Sequence, residues 1–161
     1  MQQIPLLPVF RVLKAADETV NNSSTYQDDN EIKFRARAQA KFLIQFMYRH
    51  NTGATPDIKF QWAIPSGAAI EIHAAHNNAG GSSVNEITAG NSLICRGIGT
   101  VSMGMAWCWL TTAATAGAVT LQWAQATANA SDTKVLAGSF IIVQQIDPVP
   151  VIPGLAHAPT R

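Results

Sequence analysis

Apolar and polar residues alternate with a period of two along most of this chain. Ile32, Phe34 and Ala36 fall on one side of their run, with Lys33, Arg35 and Arg37 on the other. Phe42, Ile44, Phe46 and Tyr48 share a side in the next run, while Leu43 and Met47 leave its opposite side only partly polar. Ile58, Phe60, Trp62 and Ile64 then oppose Lys59, Gln61 and Ala63, and Val119, Leu121 and Trp123 oppose Thr120, Gln122 and Ala124. Successive side chains of a strand point to opposite faces, so this pattern predicts strands with one face in a core. Further strands are expected over 69–74, 92–97, 100–110 and 138–146, bounded by clusters of Gly, Pro, Asn, Asp or Ser. "NTGATPD" and "IPSGA" read as turns, and "HNNAGGSSVNE" as the most flexible loop. About eight strands with no helical stripe predict an all-β fold, an antiparallel β-sandwich resembling a jelly roll.

One run departs from clean alternation. Val101, Met103, Met105, Trp107 and Trp109 make a long apolar side, yet Ala106, Cys108 and Leu110 make the other side apolar too. A strand apolar on both faces needs cover on both, and a two-layer sandwich supplies only one. A neighbouring subunit, or a loop or terminal segment folded across, would supply the second. All four tryptophans, at 62, 107, 109 and 123, fall on the apolar parity of their strands and are expected in the core. The two ends are extended and proline-rich. The expected organisation is an N-terminal arm over 1–14, a sandwich domain over 15–146 and a C-terminal arm over 147–161.

Composition sharpens this picture. In 161 residues only 13% are charged, about half the usual share of a soluble domain, while 47% are hydrophobic and 7% aromatic. Much of the exterior must therefore be Ala, Thr, Ser, Asn and Gln, a surface suited to packing against copies of itself or a neighbour. The formal charge of +1, from 11 basic and 10 acidic residues, argues against a phosphate-neutralising track and so against a nucleic-acid partner. The densest basic run, Lys33, Arg35 and Arg37, lies on one strand face, either as a solvated ridge or as a match for an acidic partner. "IPLLPVF" lacks a basic leader and is too short to span a bilayer, so neither export nor membrane insertion is expected.

Candidate chemistry is thin. His73 and His76 lie three apart, a spacing that sends strand side chains to opposite faces, and no carboxylate follows at ligand distance, so no metal site is expected. Asp28, Asp29 and Glu31 lack a calcium-binding loop and read as a turn before a strand, or as groups facing a basic partner. Cys95 and Cys108 match no metal spacing and read as buried free thiols, or as a pair should their strands prove adjacent. No nucleophile elbow or phosphate loop occurs, and the glycines of "GIGTVSMG" lead into a strand rather than a helix. No enzyme activity and no cofactor are expected.

Three blocks in order, "ADETVNNSSTYQDDNEIKF", "TGATPDIKFQWAIPSGA" and "VTLQWAQATANASDTKVLAGSFIIVQQI", resemble small β-rich structural proteins of tailed bacteriophages, over roughly residues 15–146. Related stretches occur in head-decoration and tail-fibre components. A short chain with extended ends looks most like a capsid decoration protein. That resemblance implies a non-enzymatic virion protein, made in the host cytoplasm, that sits as a homotrimer on the outer capsid surface and clamps major capsid subunits. The alternative is a tail-fibre or tail-tip module that binds a host receptor, such as a surface glycan. Candidate assembly contacts are Pro5, Leu6, Leu7, Pro8, Val9 and Phe10 at one end, Val149, Val151, Ile152 and Leu155 at the other, and the Lys33, Arg35 and Arg37 face.

Overall fold

The computed structural model describes residues 9–53, 55–78, 81–87 and 92–147. The chain forms β1 (Val9–Leu13), β2 (Glu18–Val20), β3 (Gln27–Ala36), β4 (Lys41–Thr52), β5 (Ile58–Ala63), β6 (Ala69–Asn78), β7 (Gly81–Ile87), β8 (Leu93–Cys95), β9 (Val101–Thr111), β10 (Gly117–Gln125), β11 (Thr133–Val135) and β12 (Phe140–Asp147). One sheet has the order β1-β12-β4-β9-β6-β7, with β11 bridging β2 and β4; the other has the order β3-β10-β5-β8.

This order is diagnostic. The principal strands in chain order are β1, β3, β4, β5, β8, β9, β10 and β12. The first, eighth, third and sixth lie side by side in one sheet, and the second, seventh, fourth and fifth in the other. The antiparallel pairs β1·β12, β3·β10, β4·β9 and β5·β8 are then the rungs of one long hairpin rolled into two layers. That is a jelly-roll β-sandwich. β6 and β7 are an insertion at the hairpin's inner end, paired onto β9 so that the larger sheet grows by two strands.

The inner faces are those the alternation predicts. Ile32, Phe34, Phe60, Leu121 and Trp123 of the smaller sheet meet Phe42, Ile44, Phe46 and Tyr48 of the larger one in a single buried cluster. Phe46 packs edge-on against both Phe60 and Trp62, with ring centroids 5.7 Å apart in each case, and joins the layers. Such geometry adds to the burial of the rings themselves.

Several expectations are revised. "HNNAGGSSVNE" is not a loop: it carries the end of β6 and most of β7, because ladder hydrogen bonds at a sheet margin need no large side chains. Val9–Leu13, within the stretch read as an arm, is an edge strand paired with β12 from Val9↔Gln144 to Leu13↔Phe140. Asp28, Asp29 and Glu31 lie inside β3 rather than in a turn before it. The β3·β10 register shifts between Thr120 and Gln122. There Asp29 Oδ1 accepts the N–H groups of Glu31 and Ile32, at 2.9 and 2.8 Å, in place of a ladder partner. Its other oxygen accepts from the buried Lys14 ammonium at 2.9 Å, and Lys14 also donates to Glu18. Burial works against that ammonium, but the two carboxylates outweigh it and hold the Lys14 pKa above its ordinary value. The lysine ties the β1–β2 connection onto β3.

Of Thr120, Gln122 and Ala124, expected on the outer side of β10, Thr120 and Ala124 are buried and only Gln122 is half-exposed, and its lack of charge has a local explanation. Gln61 donates to Gln122 at 2.6 Å and Gln122 donates to Asp28 at 2.7 Å, a polar chain across three strands of the smaller sheet. A glutamine serves there as donor and acceptor together, which neither a lysine nor a glutamate can.

Candidate functional site

β9 is an interior strand of the larger sheet, flanked by β4 and β6. Its burial alternates along its whole length, with Ser102, Gly104, Ala106, Cys108 and Leu110 inside and Val101, Met103, Met105, Trp107 and Trp109 outside. The bulkier set faces solvent. Register supplies the cause: across the ladder β4 presents Tyr48 to Gly104, Phe46 to Ala106 and Ile44 to Cys108. The β4 side chains fill the core, leaving room on β9 only for small ones. Trp107 is 39% and Trp109 47% exposed, against 6% for Trp62 and 0% for Trp123. The expectation that all four tryptophans belong to the core is therefore corrected for two of them.

Cross-strand pairing extends the exposed stripe sideways into a face. Leu13, Phe140, Met47, Met105 and Ala75 form one row over β1, β12, β4, β9 and β6. The next row is Arg11, Ile142, Gln45, Trp107 and His73, and the one after is Val9, Gln144, Leu43, Trp109 and Glu71. Within these three rows the charged side chains are Arg11 on β1 and Glu71 on β6; exposed Arg49 on β4 stands in the next row opposite Met103, Lys41 stands at the other end of β4, and β7 continues the sheet beyond β6. An open depression of about 310 Å³ lies between β1 and β12, lined by Arg11, Leu13, Phe140 and Ile142. This exposed apolar surface makes the outer face around β9 the candidate site.

Of the residues singled out from sequence, Lys33 and Arg35 are exposed together on the outer side of the smaller sheet, behind buried Ile32, Phe34 and Ala36, and Arg37 is exposed just past the end of β3. Val9 and Phe10 lie on the edge strand β1, and the Phe10 ring stacks edge-on against Phe34 at 5.5 Å. Phe10 thus belongs partly to the core margin, while Val9 sits on the exposed face. Pro5, Leu6, Leu7, Pro8, Val149, Val151, Ile152 and Leu155 lie outside the described residues. Val9 pairs with Gln144, so the described chain starts and stops at one corner of the larger sheet. Sequence reasoning missed Arg11, Phe140 and Ile142 as surface partners of β9, since only the β1·β12·β4 register brings them together.

Among the described residues, no group of three or more His, Cys, Asp or Glu side chains is placed to hold a metal ion. Cys95 and Cys108 are free and buried, and burial pushes both thiols up to about 12, away from the reactive thiolate. Cys95 Sγ donates to the Tyr48 hydroxyl at 3.2 Å. Among the described residues, no helix is long and apolar enough to cross a membrane.

No protein-family model and no curated protein matches the chain. Among solved structures, a chain from the Gt strain of infectious bursal disease virus is similar at 7% identity, covering 86% of this chain and 37% of that one, with a TM-score of 0.23. A chain from the Gx strain is similar at 11% identity, covering 90% of this chain and 42% of that one, with a TM-score of 0.25. This chain spans about two fifths of the length of those viral chains. The likeness is distant, and the jelly-roll assignment rests on the strand order itself.

Proposed function

We propose that this protein is a non-enzymatic virion structural component that binds the outside of a capsid and stabilises the shell by bridging major capsid subunits. The observation that carries the reading is the apolar outer face around β9 on a jelly-roll sandwich. A domain that leaves two tryptophans and two methionines exposed on one face of a sheet suits contact with other protein. The three-block resemblance to phage structural proteins supplies the virion context, and jelly rolls are a recurrent architecture of viral capsid domains. We assign the shell contacts to the two ends, through Pro5–Phe10 and Val149–Leu155, and to the basic ridge of Lys33, Arg35 and Arg37. Low net charge suits crowded copies, and many modest contacts sum across a shell.

The test is to add purified protein to capsids that lack it, then measure co-sedimentation and the temperature at which the shells open. Saturable binding that raises that temperature is expected. Absence of binding at micromolar protein would sink the capsid reading.

A second reading draws on a separate observation. Trp107 and Trp109 stand exposed beside Gln45, His73 and Glu71, a combination of aromatic surface and hydrogen-bonding groups that suits a sugar. A tail-fibre or tail-tip module binding a surface glycan would use it. Binding on a glycan array that disappears with Trp107→Ala would favour this reading over the first.

A further inference from the structure

We propose that residues 148–155, the first stretch beyond β12, fold back over the outer face of their own larger sheet and lie along β4 beside the ridge of β9. The inference concerns the free protein and does not rest on the virion reading.

The origin of the segment favours this seat. β12 closes at Asp147, whose ladder partner is Lys41 at the start of β4, and Lys41 is in turn paired with Thr111 at the end of β9. Chain leaving there stands at the head of a strip floored by the half-buried outer set of β4, Leu43, Gln45 and Met47. Exposed Trp109 and Trp107 rise on one side of that strip. On the other side, past β12, lies the depression of about 310 Å³ whose far wall is Arg11 and Leu13.

Length and chemistry agree with it. From Lys41 to Met47, β4 covers roughly 20 Å at about 3.4 Å per residue. Residues 148–155 in polyproline-type backbone cover roughly 22 Å at about 3.1 Å per residue. With about two residues given to the reversal, the segment still passes Leu43 and Trp109 and comes level with Gln45 and Trp107. Pro148, Pro150 and Pro153 carry no N–H, and Val149, Val151, Ile152 and Leu155 are apolar. No charge follows Asp147 until Arg161, so the segment can be laid on apolar surface without burying an ion. Aromatic-lined surfaces are where proline-rich segments dock in general.

The charges around the strip also suit a narrow, neutral occupant. Exposed Arg49 already donates from Nη1 to the Ala137 carbonyl at 2.7 Å, and it stands in the row beyond Met47. Glu71 lies on β6, on the far side of β9. A strap covers a strip and leaves these groups, and β7 beyond them, in water. A broad partner would have to answer each of them. Tethering supplies the rest: a joined segment meets its seat at an effective concentration in the millimolar range, so a contact as weak as about 1 mM closes it. Under the virion reading the same residues leave the sheet for the shell, and the face around Trp107 is bared only there.

The experiment compares the full chain with a full-length variant carrying Val149→Asp, Val151→Asp and Ile152→Asp, changes that lie outside the sandwich. Acrylamide quenching of indole emission is measured at micromolar protein. Trp62 and Trp123 are buried in either case. The parent should be weakly quenched, and the variant more strongly and with red-shifted emission, as two of the four indoles lose their cover. The difference should vanish when Trp107 and Trp109 are both replaced by Phe. A parent quenched as strongly as the variant overturns the proposal. Shielding in the parent that is lost on dilution overturns it too, since the cover would then come from another molecule. Capsid binding is a separate measurement: shielded indoles without it sink the virion reading alone, and binding by a chain with open indoles sinks only this inference.

Discussion

Gly104 on β9 lies directly across the ladder from Tyr48 on β4, and the tyrosine ring and hydroxyl fill the space that a side chain at 104 would occupy. This pair fixes which face of β9 turns inward. Tyr48 is wholly buried, hydrogen-bonded to Cys95 and packed at a tilt against Phe60, so it has little room to move. Gly104→Ala is expected to destabilise the fold by at least about 2 kcal/mol through overpacking, read as a lower midpoint in urea. An unchanged midpoint would show that the β4·β9 register tolerates slack, and would weaken the account of the exposed stripe.

The tryptophans supply a paired prediction. Trp123 is fully buried on β10, and Trp123→Ala should cost roughly 3–5 kcal/mol of folding stability. Trp107→Ala should cost under about 1 kcal/mol in the isolated chain, since its site faces outward. Denaturation at protein concentrations low enough to dissociate any assembly separates the two. Equal costs would return Trp107 to the core.

These residues also show how far the sequence could be read. Where one parity is large and apolar and the other polar, as from Ile32 to Arg37 or Ile58 to Ala63, the inward face is legible because burial has a single solution. On β9 both parities are apolar, and choosing the larger set as core gives the wrong face. The corrective signal is present in the small set Gly104, Ala106 and Cys108, a parity trimmed to fit beside bulky neighbours. It becomes decisive only once Tyr48 and Phe46 are known to be those neighbours, which is long-range register. β1, β2 and β11 are illegible for another reason: their pairing rests on distant partners, more than a hundred residues away for β1·β12 and β2·β11 and more than eighty for β11·β4. The rows linking Arg11 to Trp107 and Val9 to Trp109 are products of that same register, so the face could be suspected but not drawn.

Alkaline pH should unfold the protein, and the sign follows from three buried groups. Burial opposes the Lys14 ammonium, but hydrogen bonds and charges from Glu18 and Asp29 leave its pKa raised above 10.5. Its contribution is present in full below pH 10.5 and lost as pH rises through the folded value. Burial raises the Cys95 and Cys108 thiols from 9.0 to about 12, so their share is whole below pH 9.0 and declines toward pH 12. Urea midpoints should be level through neutral pH and fall steeply above pH 9, and Cys108→Ala should flatten the fall. At neutral pH, Lys14→Met should cost about 3–5 kcal/mol by stranding the buried Asp29 carboxylate. A variant as stable as the parent would mean that the N–H groups of Glu31 and Ile32 suffice to hold the Asp29 carboxylate without Lys14.

The last prediction concerns the opposite side of the sandwich. Lys33, Arg35 and Arg37 project from the smaller sheet, while Ile32, Phe34 and Ala36 between them hold the core. Cations two residues apart on a strand stand about 7 Å from one another and repel mildly, so their arrangement costs stability unless a partner uses it. Reversing all three to Glu should leave the folding midpoint within about 0.5 kcal/mol per site. The same change should weaken capsid binding by about tenfold or more, and the parent's binding should fade with added salt. Capsid binding that ignores both the reversals and the salt would remove the ridge from the contact and leave it to the chain ends alone.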